Sequence, residues 1–431
     1  MGDISSLLLA RSIATYAPDG VVALLLPEGV LVNDPGGRAI RSCFLRDETA
    51  EGIPFDPVRV DDFTSLNPFP DAATKPIALY VIPGRKAEFP IAYTEWSRAK
   101  ARVSLPPDHS WRKVRPSLHG RNGALQPTTS GDRASRWREA SDGPAIAPSA
   151  KNLATQNYTW GQGFHTRGAD GIFYCEIVSE TPFSGGLVRI RTRPDLGRNT
   201  KDMENRELVI EPDLLWPLAR GKDVQRFSTA NSGLYCIVPH DPNDPRRILT
   251  VSELMEMSPR LFDYLESHED FLLKRSAYNL RLTKDSPWGI QGTSWRHLRR
   301  SSHIVVGRYM SPNKRPQVSV LSPVPDPLLG LTTTKYPNNK VNFVSCASQT
   351  AADYLCAAAN SRLSQDYISR VASSTTIGPS IMNDLGIPIF DPSVELHIRL
   401  ANLGQEARLE PDNSDEVLEE IDKNIPLLFG L

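Results

Sequence analysis

An α/β domain followed by a mixed α+β domain with a helical carboxy terminus is the architecture this sequence predicts. Three observations predict it. Near the amino terminus a helix, an apolar strand and another helix follow one another, the order of a doubly wound α/β sheet. From Leu153 onward the texture changes to short apolar strands separated by turn residues. Beyond residue 349 the apolar spacing returns to a helical period.

Taken in order, Ser6 to Thr15 reads as a helix with Leu8, Leu9 and Ile13 on its apolar side. Val21 to Leu26 is a buried strand stopped by Pro27, and Gly37 to Leu45 a second helix. Val58 to Phe63 and Ile77 to Ile82 complete the strands, the latter closed by Pro83-Gly84. Residues 94–150, rich in Pro, Ser, Arg and Gly, read as a basic connector of irregular structure. Seven strands follow in "GIFYCEIVS", "GGLVRIRTR", "RELVIEP", "GLYCIVPH", "SHIVVGRYM", "PQVSVLSP" and "KVNFVSC", interrupted by a helical insert from Ser252 to Lys274. Residues 349–370 form an Ala- and Leu-rich helix. The terminal amphipathic helix docks through Ile421, Ile425, Leu427 and Leu428.

Composition narrows the class. The 431 residues, 40% hydrophobic and 23% charged, suit two or three globular domains. No apolar run reaches the roughly 18 residues of a membrane span, and the opening has no basic n-region for secretion. Gly2 meets a myristoylation motif only formally. The five cysteines are scattered and odd in number, which argues for a reducing, cytoplasmic setting without disulfides or structural metal. The net charge of −1 conceals asymmetry. Trp96 to Ala140 holds ten Lys/Arg against three acids, with Trp96, Trp111 and Trp137 interleaved. Gly292 to Pro316 holds six Lys/Arg and no acid, whereas Glu406 to Asp422 holds eight acids and one Arg. Such patches suit phosphate binding. They are also what a solvated surface compensated by an acidic tail looks like.

Several phrases together resemble the carboxy-terminal two thirds of bacterial gamma-class DNA adenine-N6 methyltransferases of restriction–modification and phage-exclusion systems. They are Gly20, Pro27, Arg41 and Leu45, then Phe69, Ala72, Thr74 and Leu79. Next come Gly163, Thr166, Asp170 and Phe173, and "LLWPLARGKDVQRFS" from Leu214 to Ser228. Asn360-Ser361 with Leu363 and Tyr367, and Ile421-Asp422 with Phe429-Gly430-Leu431, close the series. No phrase is specific alone; their order along the chain carries the resemblance. It implies a partial Rossmann-like methyltransferase sheet over residues 1–93 and the connector over 94–150. A DNA target-recognition domain over 151–380 and a helical segment over 381–431 complete the division.

The resemblance also implies double-stranded DNA as ligand. The S-adenosylmethionine loop and the catalytic Asn-Pro-Pro-aromatic motif have no match here. Asn67 in "NPFP" is a decoy with an interrupted proline pair, and the glycines of "GQG" at Gly161 to Gly163 are not a cofactor loop. The expectation is therefore that S-adenosylmethionine and catalysis come through a partner polypeptide carrying the remaining half of the methyltransferase domain. The alternative is a truncated, non-catalytic remnant or a protein-interaction module of the same fold.

The expected DNA-binding residues are Thr166, Arg167, Arg220, Lys222, Arg226, Arg296, Arg299, Arg300 and Arg308, with no catalytic, cofactor or metal residue. Cationic forks suit phosphate oxygens and guanine edges. For Arg220, Lys222 and Arg226 the competing reading is a salt-bridged turn held by Asp223. For His165, Thr166 and Arg167 it is turn formation. Trp288 and Trp295 suit stacking on an extruded base or, more commonly, a buried core. Cys43 and Tyr16 read as core.

Overall fold

The computed structural model describes residues 4–15, 20–32, 36–45, 52–66, 68–69, 76–100, 110–129, 131–139, 158–178, 186–275, 286–292, 298–310, 315–372 and 376–429. Tyr16, Asn67, Trp295 and Arg296 lie outside them. No described helix is long and apolar enough to cross a membrane. The chain divides into two units, residues 1–153 and 154–431.

The first unit is built on one mixed sheet. Its strands are β1 (Val22–Pro27), β2 (Phe44–Leu45), β3 (Ile53–Asp62), β4 (Pro76–Pro83), β5 (Ile91–Arg98), β6 (Leu118–Thr129) and β7 (Asp132–Glu139), in the order β1-β4-β3-β5-β6-β7, with β2 on β3. The sheet is not parallel throughout, as a doubly wound domain would be. β4 runs antiparallel to both neighbours, and only β3 and β5 pair in parallel. Helices Gly29–Val32 and Gly36–Arg41 carry the chain from β1 toward β3, and β4 then enters between β1 and β3, antiparallel to each. The first helix, Ile4–Thr15, buries Leu9 and Ile13 but leaves Leu8 exposed.

Within the expected irregular connector, Leu118–Thr129 and Asp132–Glu139 form β6 and β7 at the far end of this sheet. Arg41, wholly buried, donates from Nε to the Ser135 carbonyl (2.9 Å) and from Nη1 to that of Val30 (2.9 Å). A buried guanidinium needs such acceptors, and here they clamp β7 onto the early helices. Gly37 makes room, since a Cβ there would lie 2.5 Å from Arg41 Nη1 and from the Val30 carbonyl oxygen. On the β5 side Trp96 donates from Nε1 to Asp61 (3.0 Å) and the Tyr93 hydroxyl to Asp62 (2.6 Å).

The second unit has two principal sheets. The first contains β9 (Tyr174–Ile177), β10 (Val188–Thr192), β11 (Glu207–Ile210), β12 (Leu215–Ala219), β13 (Leu234–Ile237) and β18 (Tyr336–Pro337), in the order β11-β10-β9-β13-β12-β18. The second contains β8 (Gly161–Gln162), β14 (His303–Arg308), β15 (Val318–Leu321) and β19 (Val341–Cys346), in the order β15-β14-β19-β8. A small hairpin of β16 (Val324–Asp326) and β17 (Leu331–Thr333) completes the strands. The expected helical insert is three helices, Val251–Met257, Pro259–Glu266 and Glu269–Leu273; Thr250 and Glu253 form a capping box on the first.

The expected helix over 349–370 breaks in two, Gln349–Asn360 and Arg362–Val371. Asn360 exchanges hydrogen bonds with the Val318 backbone (Nδ2 to O 2.8 Å, N to Oδ1 3.1 Å), and Ser361 caps the following helix. Helix Gln349–Asn360 is buried nearly all round and packs on Glu395–Leu409. The two helices approach closely at Gly404, where a Cβ would lie 2.1 Å from the Asp353 carbonyl oxygen. In the last helix, Ser414–Leu428, Ile421 and Ile425 are buried as expected, but Leu427 stays 64% exposed.

Candidate nucleic-acid interface

Four segments of the second unit converge because glycines and turns let their backbones touch. Gly163 has no room for a side chain: a Cβ would lie 2.2 Å from the Pro337 carbonyl oxygen. Phe164 then bridges to Asn338 and His165 to Gln291, through His165 N to Gln291 O at 2.6 Å. Arg167 and Gly168 follow at φ +57° and +87°, two successive left-handed residues as in a type I′ turn. Arg167 is exposed at its tip, with Nε donating to Gln291. Gly168 in turn is packed against Asn199, beside the exposed Arg198.

The second segment is the turn after β12. Asp223 N donates to the Arg220 carbonyl (2.9 Å), and Gly221 faces Lys340, whose carbonyl oxygen would be 2.4 Å from a Cβ there. Lys222 is exposed at this tip. The third segment is the β18–β19 turn, in which Lys340 N donates to Asn338 Oδ1 (3.1 Å), an Asx turn. The fourth is the end of β14, where Tyr309 N donates to the Lys340 carbonyl (2.9 Å) and the Lys340 ammonium sits 6.0 Å from the Tyr309 ring centre. Arg167, Lys222 and Lys340 are thus exposed cations on adjoining loops, with Arg308 half-buried next to Tyr309.

The field of this cluster registers on His165. Burial first, then the charges of Arg167 and Lys340, lower its pKa below the ordinary imidazole value. Burial lowers those of His268 and His397 as well. A depressed folded-state pKa gives stability that is whole above the unfolded value of about 6.5 and is lost as pH falls through the folded value, because the unfolded chain takes up the proton first. The expected result is a lower urea midpoint at pH 5.5 than at pH 7.5. Replacing the three histidines by Gln should shrink that difference, and an unchanged difference would show that they are not held neutral.

Several expected DNA contacts are committed elsewhere. Thr166 is buried and its hydroxyl bonds Asp170, while its carbonyl accepts from Arg275 (2.9 Å). Arg220 forms a two-pronged bond to Asp223 (3.1 and 3.2 Å), with only 13% and 7% of the two side chains exposed, so the salt-bridged turn is the arrangement present. Arg226 pairs with Asp415. Arg300 lies 4.2 Å over the Trp216 ring and donates to the Asp213 and Leu215 carbonyls (2.8 and 3.0 Å). Burial lowers the Arg300 pKa below the usual guanidinium value. Arg299 is exposed on that separate loop, donating to the Leu298 carbonyl (3.2 Å). Trp288 is core, donating to Leu249 O (3.0 Å) with its ring edge-on to Phe262. The sequence reading missed Lys340 and Tyr309; the Pro-Asn-Asn turn before Lys340 was the available signal.

No family model and no curated protein matches the chain. Among solved structures it is similar to the type IIL restriction–modification enzyme MmeI in complex with DNA, with a TM-score of 0.54 and 10% identity over 98% of this chain and 48% of that one. The type IIG restriction endonuclease BpuSI also matches, at 10% identity over 98% of this chain and 49% of that one, with a TM-score of 0.27. The chain therefore spans about half the length of these enzymes. What it shares with MmeI is the fold.

Proposed function

We propose that this chain is the DNA target-reading part of an adenine-N6 methyltransferase in a restriction–modification or anti-phage system, with S-adenosylmethionine binding and catalysis supplied by polypeptide outside these residues. The observation that carries the reading is the convergence of Arg167, Lys222 and Lys340 on adjoining loops beside Tyr309. Three solvent-reaching cations in one place suit phosphate oxygens, and Arg167, with further guanidinium donors beyond the bond to Gln291, suits a guanine edge. The likeness of fold to a DNA-bound enzyme supports double-stranded DNA as the ligand. Exposed apolar side chains on the first helix (Ile4, Leu7, Leu8) and on edge strand β1 (Leu25) suit a surface that the catalytic polypeptide covers.

Calorimetric titration of the purified chain tests this reading. Duplex DNA should give a saturable isotherm at low salt, and S-adenosylmethionine none at micromolar concentration. Stoichiometric cofactor binding would show that the chain carries its own cofactor site. Absence of duplex binding would remove the target-reading role.

A further inference from the structure

The first unit carries a second cationic surface, with an exposed tryptophan at its centre. The strand ends place it: Trp96 pairs with Gly120, Ser97 with His119 and Arg98 with Leu118. Between them the chain makes the short helix Trp111–Val114. A small core of Leu66, Trp96 and Leu118, joined by Phe63 and Val114, fixes that helix to the sheet. The Trp111 ring meets Trp96 edge to face at 5.4 Å, and the Arg115 guanidinium covers Trp96 at 4.8 Å from the ring centre. Trp111 is nonetheless 55% exposed. Arg112 and Lys113 on the same helix are exposed, as is Arg98, which shares the sheet face of Trp96 and Leu118. The neighbouring carboxylates are already engaged, Asp61 by Trp96 and Arg59, Glu95 by Arg121 (2.7 Å).

We infer that this surface binds unpaired nucleic acid, with a base stacked on Trp111 and the phosphates of the same strand on Arg112, Lys113 and Arg98. Here an exposed indole is held edge-on against Trp96 beside exposed cations. Aromatic stacking combined with a cationic track is the physical signature of single-strand binding, since every base offers a π-face. Duplex DNA keeps its bases stacked and offers only phosphates to such a surface. The site therefore discriminates strands by pairing state and tolerates sequence. It adds a second binding surface, distinct from the loops around Lys340, and does not depend on them.

The test is fluorescence anisotropy of a labelled oligo(dT) with the full chain. Trp111→Ala should weaken binding about tenfold, and Trp111→Phe should restore most of it. Arg112→Ala with Lys113→Ala should weaken binding and flatten its salt dependence by roughly 0.7 for each single-strand phosphate left without its cation. The Arg167→Ala, Lys222→Ala, Lys340→Ala variant should bind oligo(dT) as the wild type does, so failure of the duplex reading leaves this result standing. Circular dichroism of each variant confirms folding. Wild-type affinity in both the Trp111→Ala and the Arg112→Ala, Lys113→Ala variants would overturn the proposal. So would heparin binding as sensitive to Trp111→Ala as oligo(dT) binding, because heparin has no base to stack.

Discussion

Replacing Arg167, Lys222 and Lys340 together by Ala is expected to lower duplex affinity about a hundredfold at low salt. Each charge-assisted hydrogen bond contributes about 1.5 kcal/mol or more, and neighbouring ones are not additive. Arg167, Lys222 and Lys340 are all exposed at loop tips, so the variant should fold as the wild type does. Backbone contacts that the substitutions leave in place hold these loops together: Gly221 lies against the Lys340 main chain, and Lys340 receives the Tyr309 N–H through its carbonyl. The salt dependence should flatten by up to about 0.9 for each duplex phosphate left without its cation. A change confined to Arg167 should alter sequence preference if its guanidinium reaches a base edge, since a good bidentate pair discriminates by about 1–3 kcal/mol. Fluorescence anisotropy across several duplexes separates the two. Equal affinity in wild type and triple variant would take the cluster out of the interface.

Asp223→Ala is expected to destabilise the second unit by about 3–5 kcal/mol, the cost of leaving one partner of a buried ion pair unmatched. Asp223 accepts from the Arg220 backbone N–H (3.1 Å) as well as from both prongs of its guanidinium, so the variant also opens the turn. Arg220→Ala should cost a similar amount, and Arg220→Lys should not rescue it, because an ammonium cannot form the planar two-pronged bond. Urea denaturation reads the loss directly. If Arg220→Ala were instead neutral for stability and altered sequence preference, Arg220 would be a base reader and the turn would need another support. The destabilisation should reach DNA binding indirectly, through the Lys222 that this turn presents.

Much of the strand pattern was legible, for a physical reason. β10 alternates buried Val188, Ile190 and Thr192 with exposed Arg189 and Arg191, and β14 is a continuous apolar run buried between two partners. β6 was not legible. "LHGRNGALQPTT" has Gly, Pro and polar residues throughout, and it is a strand because β5 and β7 flank it and Arg121 bridges Glu95 and Glu139 across them. Such cross-strand pairing has no local signature. The break at Ser361 was hidden for a related reason, since it follows from Asn360 reaching the distant Val318.

The site divides the same way. Arg220 and Asp223, three residues apart, showed both their possible roles in the sequence. Arg300 did not, because counting charge along a chain says nothing about whether a guanidinium points to solvent or lies over Trp216. Lys340 joined the cluster through contacts distant in the chain, with Gly221 more than a hundred residues away and with Tyr309.

The most direct measurement of the central claim is the affinity of the full chain for a duplex as a function of salt. With three or so phosphates neutralised by the cluster, log Kobs should fall against log[salt] with a slope of about −2 to −3. A slope near zero, or no measurable duplex binding at about 50 mM salt, where phosphate contacts bind more tightly than at physiological salt, would contradict this reading.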